Sequence, residues 1–341
     1  MINFLKKVNK TRFHNPMKNF ELDEVASEKR YDPLTGKMVR IFPFRQIGFP
    51  RHDWIPFVEE SKKRFCPFCP EVIEKTTPRF PEDLVPEGKV RVGESIVVPN
   101  LHPYEIHSGV VVMTPRHYLS MEDISPSVMS DSIKAAIQYL KLIAGKDPEN
   151  ARFASVNWNY MPYAGGSLIH PHLQVLAGSE PCNLDGEMMD SASAYFKNHG
   201  SIYWHDLVEE EKDQGQRYIG ATGEIEWLAT FAPLAMADIT AVIPNCSTIY
   251  GFTDDNLKDL TLGFKRIISY YDSVNLPAFN MALYFAGNDQ RGFCCTARFV
   301  GRYTLFPLVG SDVSNMQMLH HDPWTLHLPE ILAKEAGKYF L

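Results

Sequence analysis

The chain has 341 residues, 45% of them hydrophobic and 22% charged, with a formal charge of −7. That length buries one large core or two of ordinary size, and the composition is that of an ordinary soluble protein. The acidic balance excludes broad electrostatic binding to nucleic acid or anionic membrane, no apolar run approaches transmembrane length, and small phosphorylated ligands held by local donors remain open.

At the N-terminus the charges of Met1-Ile-Asn-Phe-Leu-Lys-Lys follow a very short apolar stretch, the reverse of a signal peptide, which points to a cytoplasmic location. In that compartment the six cysteines are expected as ligands, core thiols or reactive groups rather than a disulfide frame. Residues 1–29 are polar without clear periodicity and are expected as a loosely held arm. Asp32-Pro33-Leu34-Thr35-Gly36 is a turn signal, followed by an alternating strand over 38–42.

One pattern is then written twice. Val98-Pro99-Asn100, a strand over 109–113 and Thr114-Pro115 lead into a helix that Ser125-Pro126 starts, with Met129, Ile133, Ile137, Leu140 and Ile143 on one face. Phe231-Ala232-Pro233, a strand over 239–243 and Pro244 lead into a second helix, capped at Thr253-Asp254, with Leu257, Leu260, Phe264, Ile267, Ile268 and Tyr271. A strand pair follows each helix, 152–156 with 168–175 and 278–285 with 293–300. Aligning the copies sets His170-Pro171-His172-Leu173-Gln174 against Cys294-Cys295-Thr296-Ala297-Arg298. The reading is two α+β units, of which one keeps its histidines.

In an extended strand, His170, His172 and Gln174 share one face. The preceding run, from Asn157 and Asn159 to Ala164, Gly165, Gly166 and Ser167, mixes amides and a hydroxyl with small residues, so backbone N–H groups can approach an anion closely. An unprotonated imidazole nitrogen can attack phosphorus to form a covalent phospho- or nucleotidyl-histidine. His172 is the candidate for that nucleophile, its other nitrogen donating to a backbone carbonyl, with Gln174 donating to a non-bridging phosphoryl oxygen. Ser167 and Asn159 taken singly also suit turn caps, Arg45 could clamp a phosphate or stay solvated, and Asn100 could serve a turn or read a base or ribose. Cys66-Pro67-Phe68-Cys69 fits a redox pair, unliganded thiols or half of a metal site. Two further ligands are on hand in His117 and His170, and four such ligands make a closed tetrahedral zinc site whose role is structural. Cys182, Cys246, Cys294 and Cys295 lack metal spacing and are expected as buried thiols.

Taken together, Arg30 through Gly36, Pro43-Phe44-Arg45, Cys66 through Pro70, Val98-Pro99-Asn100, Pro115-Arg116-His117 and Asn159 through Gln174 resemble the galactose-1-phosphate uridylyltransferase family of the histidine-triad superfamily. The likeness is strong over residues 30–178 and rests in the remainder on the general repeat. It implies an α+β fold of two histidine-triad-like repeats, each an antiparallel sheet with packed helices. The corresponding division is an arm (1–29), a catalytic repeat with zinc (30–178), a connecting segment (179–226) and a second, degenerate repeat (227–341). It implies further that His172 attacks the α-phosphorus of a nucleotide sugar, expels sugar 1-phosphate and passes the nucleotide to a sugar 1-phosphate or phosphate acceptor. Cys66, Cys69, His117 and His170 match the family's zinc ligands, while Asn159, Ser167 and Gln174 match phosphate-contacting positions. Family members are commonly homodimers.

The chain departs from the family in three respects. Cys294 and Thr296 stand where a second metal site has histidines, Gly48 stands where a second arginine is expected, and the acceptor-sugar signature is not recognisable in residues 322–328. The nucleotidyl half therefore matches the family, while the galactose half does not. Phosphorolysis or hydrolysis of nucleotide sugars or dinucleoside polyphosphates is the alternative reaction. A decayed transferase that binds nucleotide without turnover is the alternative from another class.

Overall fold

The computed structural model describes residues 2–44, 48–288, 290–304 and 311–341. The N-terminal residues form a long two-stranded ribbon, β1 (Lys6–Asn15) against β2 (Glu21–Tyr31), where the sequence suggests a loose arm. Every residue of β1 but the last is exposed. A strand with both faces in water has no need of alternating hydrophobicity, so the period-2 signal that reveals other strands is absent here. β3 (Met38–Ile41) continues this sheet, and β14 (Trp324–Thr325) closes it in parallel.

The body is one ten-stranded sheet built from β4 (Val90–Val92), β5 (Ser95–Pro99), β6 (His107–Val112), β7 (Phe153–Tyr160), β8 (His172–Gly178), β9 (Tyr218–Thr222), β10 (Ile225–Ala229), β11 (Met236–Ile243), β12 (Ala278–Phe285) and β13 (Cys295–Arg302). Its order, β4-β5-β6-β8-β7-β12-β13-β11-β10-β9, reads the same from either edge once each strand is replaced by its counterpart in the other repeat. The α+β class and the two repeats are thus both present, but their strands merge into one sheet through the antiparallel β7–β12 pair. This joint leaves neither repeat with a free inner edge.

Residues directly opposed on neighbouring strands share a face. One row of opposed residues runs Val111, Leu173 and Trp158; another runs Val175, Val156, Leu283, Ala297 and Ala241. All eight are buried, under α3 (Pro126–Lys146) and α6 (Asp254–Ser273). The two helices follow the expected stripes. Ser125 Oγ accepts from Val128 N, and Thr253 with Asn256 completes a capping box, so the unpaired N–H groups of both first turns find partners.

The remaining helices are α1 (Ile55–Lys62), α2 (Ile73–Thr76), α4 (Asn183–His199), α5 (Tyr203–Gln214), α7 (Asn315–His320) and α8 (Pro329–Ala336). Between the repeats, α4 and α5 lay Met189, Tyr203, Trp204 and Val208 against Leu228, Val242 and Cys294, on the sheet face that α3 and α6 do not cover. No helix among the described residues is long and apolar enough to cross a membrane.

Candidate active site and metal centre

The strand expected to span 168–175 begins only at His172. Pro171 has no N–H to contribute to a ladder, and its carbonyl instead accepts from Met113 N at 3.0 Å. His170 therefore lies before the strand and not on its face, and the two histidines diverge.

His170 turns toward the Cys-x-x-Cys loop. Its Nδ1 lies 3.6 Å from Cys66 Sγ and 3.9 Å from Cys69 Sγ, while His117 Nδ1 lies 3.2 Å from Cys69 Sγ. One ligand atom from each of the four residues falls within 4.8 Å of every other. Tetrahedral zinc, with bonds of about 2.0–2.3 Å, places its ligands roughly 3.3–3.8 Å apart, so the cluster could hold such an ion with little movement. The outer partners fit as well. His170 Nε2 donates to Thr114 O at 2.8 Å, which leaves the Nδ1 lone pair facing the sulfurs. Ser61 Oγ gives its proton to Val58 O at 2.7 Å and so accepts from His117 Nε2 at 3.0 Å, which frees His117 Nδ1 in the same way.

Burial pulls His170 down to about 4, so its ring is neutral. Burial, then the neighbouring Cys66, pushes the Cys69 thiol up to about 12. Two thiolates this close are costly unless a cation sits between them, and a divalent metal supplies one. The four residues that sequence reasoning paired as ligands lie together in a group that could hold a metal; Ser61 and Thr114 carry no motif and became visible only in three dimensions.

His172 opens β8 with Gln174 two residues on, opposed by Val112 and Val110 of β6 and, for Gln174, by Asn157 of β7. His172 Nδ1 donates to His170 O at 2.7 Å, which assigns the lone pair to Nε2. Burial lowers the His172 pKa, so the imidazole stays neutral. The ring of Phe68, from the Cys-x-x-Cys loop, stands 5.5 Å from His172 and 5.9 Å from His170 between ring centres. The cluster is thereby tied to the adjoining imidazole by both backbone and packing.

The small-residue run folds into a tight turn after β7. Gly165 has φ +89°, open to glycine without strain, and a Cβ on Gly166 would lie 3.0 Å from Asn159 O and 3.2 Å from Met161 O. Asn159 Oδ1 accepts from Asn280 Nδ2 at 2.7 Å. Ser167 is exposed beyond this turn. Asn100 serves a turn: its Oδ1 accepts from His102 N at 2.9 Å, and its own N–H donates to Ser108 O. Arg45 lies outside the described residues. Of the cysteines expected as buried thiols, Cys246, Cys294 and Cys295 are buried. Cys182 is exposed, because it caps the start of α4 in a surface loop. Asn280, from the second repeat, is the site residue that sequence reasoning missed, since its side chain reaches the first repeat only through the β7–β12 pairing.

This palindromic sheet has the fold of the galactose-1-phosphate uridylyltransferase-like proteins. An ADP-glucose phosphorylase from Arabidopsis thaliana, solved with bound ADP-glucose, superposes with a TM-score of 0.69 over 92% of this chain and 98% of its own, at 19% identity. A GalT-like protein from Arabidopsis thaliana gives 0.69 at 20% identity with the same coverage, and a uridylyltransferase gives 0.66 at 18% identity, again covering 92% of this chain and 98% of its own. At these identities the likeness is one of fold. In sequence, an uncharacterized protein of Archaeoglobus fulgidus is 32% identical over 316 residues, covering 92% of this chain and 93% of that protein, and the chain belongs to the same family. No protein-family model matches the chain.

Proposed function

We propose that this protein moves a nucleoside monophosphate from a nucleotide sugar to a phosphorylated acceptor through a covalent intermediate on His172. The observation that carries this reading is the hydrogen bond from His172 Nδ1 to His170 O, 2.7 Å, which leaves Nε2 as an unprotonated nucleophile next to Gln174. In the first step Nε2 forms a bond to the α-phosphorus, and the phosphorus–oxygen bond to the sugar 1-phosphate breaks with its electron pair leaving on that oxygen. In the second step an acceptor phosphate oxygen attacks phosphorus and Nε2 departs. Gln174, the side-chain amide of Asn159 and the hydroxyl of Ser167 supply neutral donors for the non-bridging oxygens, whose charge distribution changes along the path, while Gly165 and Gly166, whose N–H groups donate to Pro162 O and Met161 O, keep the turn small enough for the phosphate to approach. Arg45 is assigned to the substrate's phosphate, and Asn100, whose side-chain oxygen closes its own turn, keeps only its NH2 for the nucleoside.

Cys66, Cys69, His117 and His170 would hold one zinc ion, which when bound supplies a rigid anchor for the loop ahead of β8. With all four positions used, that ion has no open place for substrate. The acceptor is a sugar 1-phosphate or inorganic phosphate. The absence of the family's acceptor-sugar signature from residues 322–328 favours phosphate, and the ADP-glucose phosphorylase shares the fold. The same proposal includes a cytoplasmic location and a homodimer, for which the ribbon of β1 and β2 leaves Val8, Phe13, Met17, Phe20 and Leu22 exposed.

Intact-mass measurement after incubation with ADP-glucose, UDP-glucose or UDP-galactose tests the chemistry. One donor should add a single nucleoside monophosphate and release sugar 1-phosphate. His172→Ala should abolish the adduct, with turnover down on the order of 10⁶-fold as for loss of a covalent nucleophile, and should keep its metal. No adduct with any donor on folded protein would refute the reading. Loss of metal from His172→Ala would reverse the roles of the two histidines.

A further inference from the structure

Asn280 sits on β12, in the repeat without histidines, and its amide is oriented from both ends. Arg302 Nη1 donates to Asn280 Oδ1 at 2.9 Å. A guanidinium only donates, so the oxygen of Asn280 must face it and the NH2 must face away. On that side Asn280 Nδ2 donates to Asn159 Oδ1 at 2.7 Å and to the Ala164 carbonyl at 2.8 Å. A backbone carbonyl only accepts, so the second end agrees with the first. Arg302 is in turn held by a two-pronged pair with Asp312, Nε to Oδ2 at 2.7 Å and Nη2 to Oδ1 at 2.6 Å. Asp312 is nearly buried, with 7% of its side chain exposed.

The polarity passes down the line. Because Asn159 spends its oxygen on Asn280, its own NH2 is the group left to meet a ligand. Were Asn159 reversed, its carbonyl oxygen would confront a phosphate oxygen, exchanging a hydrogen bond for lone-pair repulsion. The second bond, to Ala164 O, ties the turn over 162–166 to β12.

We infer that Asp312, Arg302 and Asn280 are positioning residues, through which the degenerate repeat sets the Asn159 side-chain amide of the other repeat to donate to the substrate's α-phosphate. This deepens the proposed function and rests on the assignment of Asn159 to phosphate.

The test is calorimetric titration of the full-length protein with UDP and with ADP, which reads phosphate binding without requiring turnover. Asn280→Asp keeps the shape and the Arg302 contact but sets an oxygen against Asn159 Oδ1, so Asn159 must turn its NH2 inward. Affinity should fall about 10- to 100-fold, the scale of a lost hydrogen bond to a charged group. Arg302→Gln, one step further back, should give a smaller loss in the same direction. In an Asn159→Ala background, where only the Ala164 carbonyl still meets the new oxygen, Asn280→Asp should cost less than about threefold. An equal loss in both backgrounds would mean that the added charge or a disturbed fold is responsible, and would overturn the inference. So would unchanged affinity in Asn280→Asp while the wild type binds. If the wild type binds neither nucleotide, the proposed function fails first and this inference with it.

Discussion

The two repeats share strand order and helix cover and differ in what fills the other face. One row of opposed residues crosses both: Val110, Gln174 and Asn157 in the first, then Ala282, Arg298 and Thr240 in the second. In the first, Gln174 is only part buried and His172 offers an unprotonated ring nitrogen, while Asn157 spends its NH2 on Ser155 Oγ at 2.9 Å. In the second, Thr296 takes the place of His172, and Arg298 spends donors on Asp238 at 2.7 and 2.9 Å. Above them Tyr203, Trp204 and Leu207 of α5, together with Phe231, enclose a cavity of about 90 Å³. A site for an anion needs donors that the fold has not consumed. The first repeat keeps such donors, whereas the second consumes them in stability and in holding Asn159.

The sharpest way to break this contrast is to remove the metal ligands. The binding free energy of a structural zinc site is on the order of 10 kcal/mol. Cys69→Ser should therefore lose the ion and the adduct together, while Cys294→Ser should keep both. Elemental analysis should find one ion per wild-type chain; an ion retained in Cys69→Ser would place it elsewhere.

Next in size is Arg298→Met, which leaves Asp238, fully buried, without its cation. Breaking such a pair costs about 3–5 kcal/mol, read as a lowered denaturant midpoint. Adduct formation per folded molecule should not change, and a fall there would make the second face part of the chemistry.

Gly166→Ala is the smallest of the three. Its Cβ would crowd Asn159 O and Met161 O at 3.0 and 3.2 Å. Overpacking of that kind costs about 1–3 kcal/mol and here falls on the phosphate turn. Slower adduct formation with an unchanged metal content is expected; wild-type rates would show that the turn's exact path is unimportant.

Much of this was legible in one dimension, for definite reasons. The helix stripes from Met129 to Ile143 and from Leu257 to Tyr271 carry the 3.6-residue period because each buries a single face. The second half of the repeat was readable despite its lost histidines, because β12 and β13 keep apolar residues toward α6. The outer strand of the ribbon, β1, was not readable, since all but its last residue are exposed. Nor was the start of β8, where Pro171 and the cluster override the run of strand-forming residues.

Residue identity at short range determined the elements, the caps, the four candidate metal ligands and the spacing of His172 and an amide two residues on. These depend on local periodicity and on donor chemistry that each residue carries with it. Only the tertiary structure decided that His170 lies outside the strand that His172 opens, that two sheets are one, and that Asp312, Arg302 and Asn280 reach across the joint to Asn159. Hydrogen-bond polarity between residues more than a hundred positions apart depends on strand register, and register is set by the packing of the whole sheet.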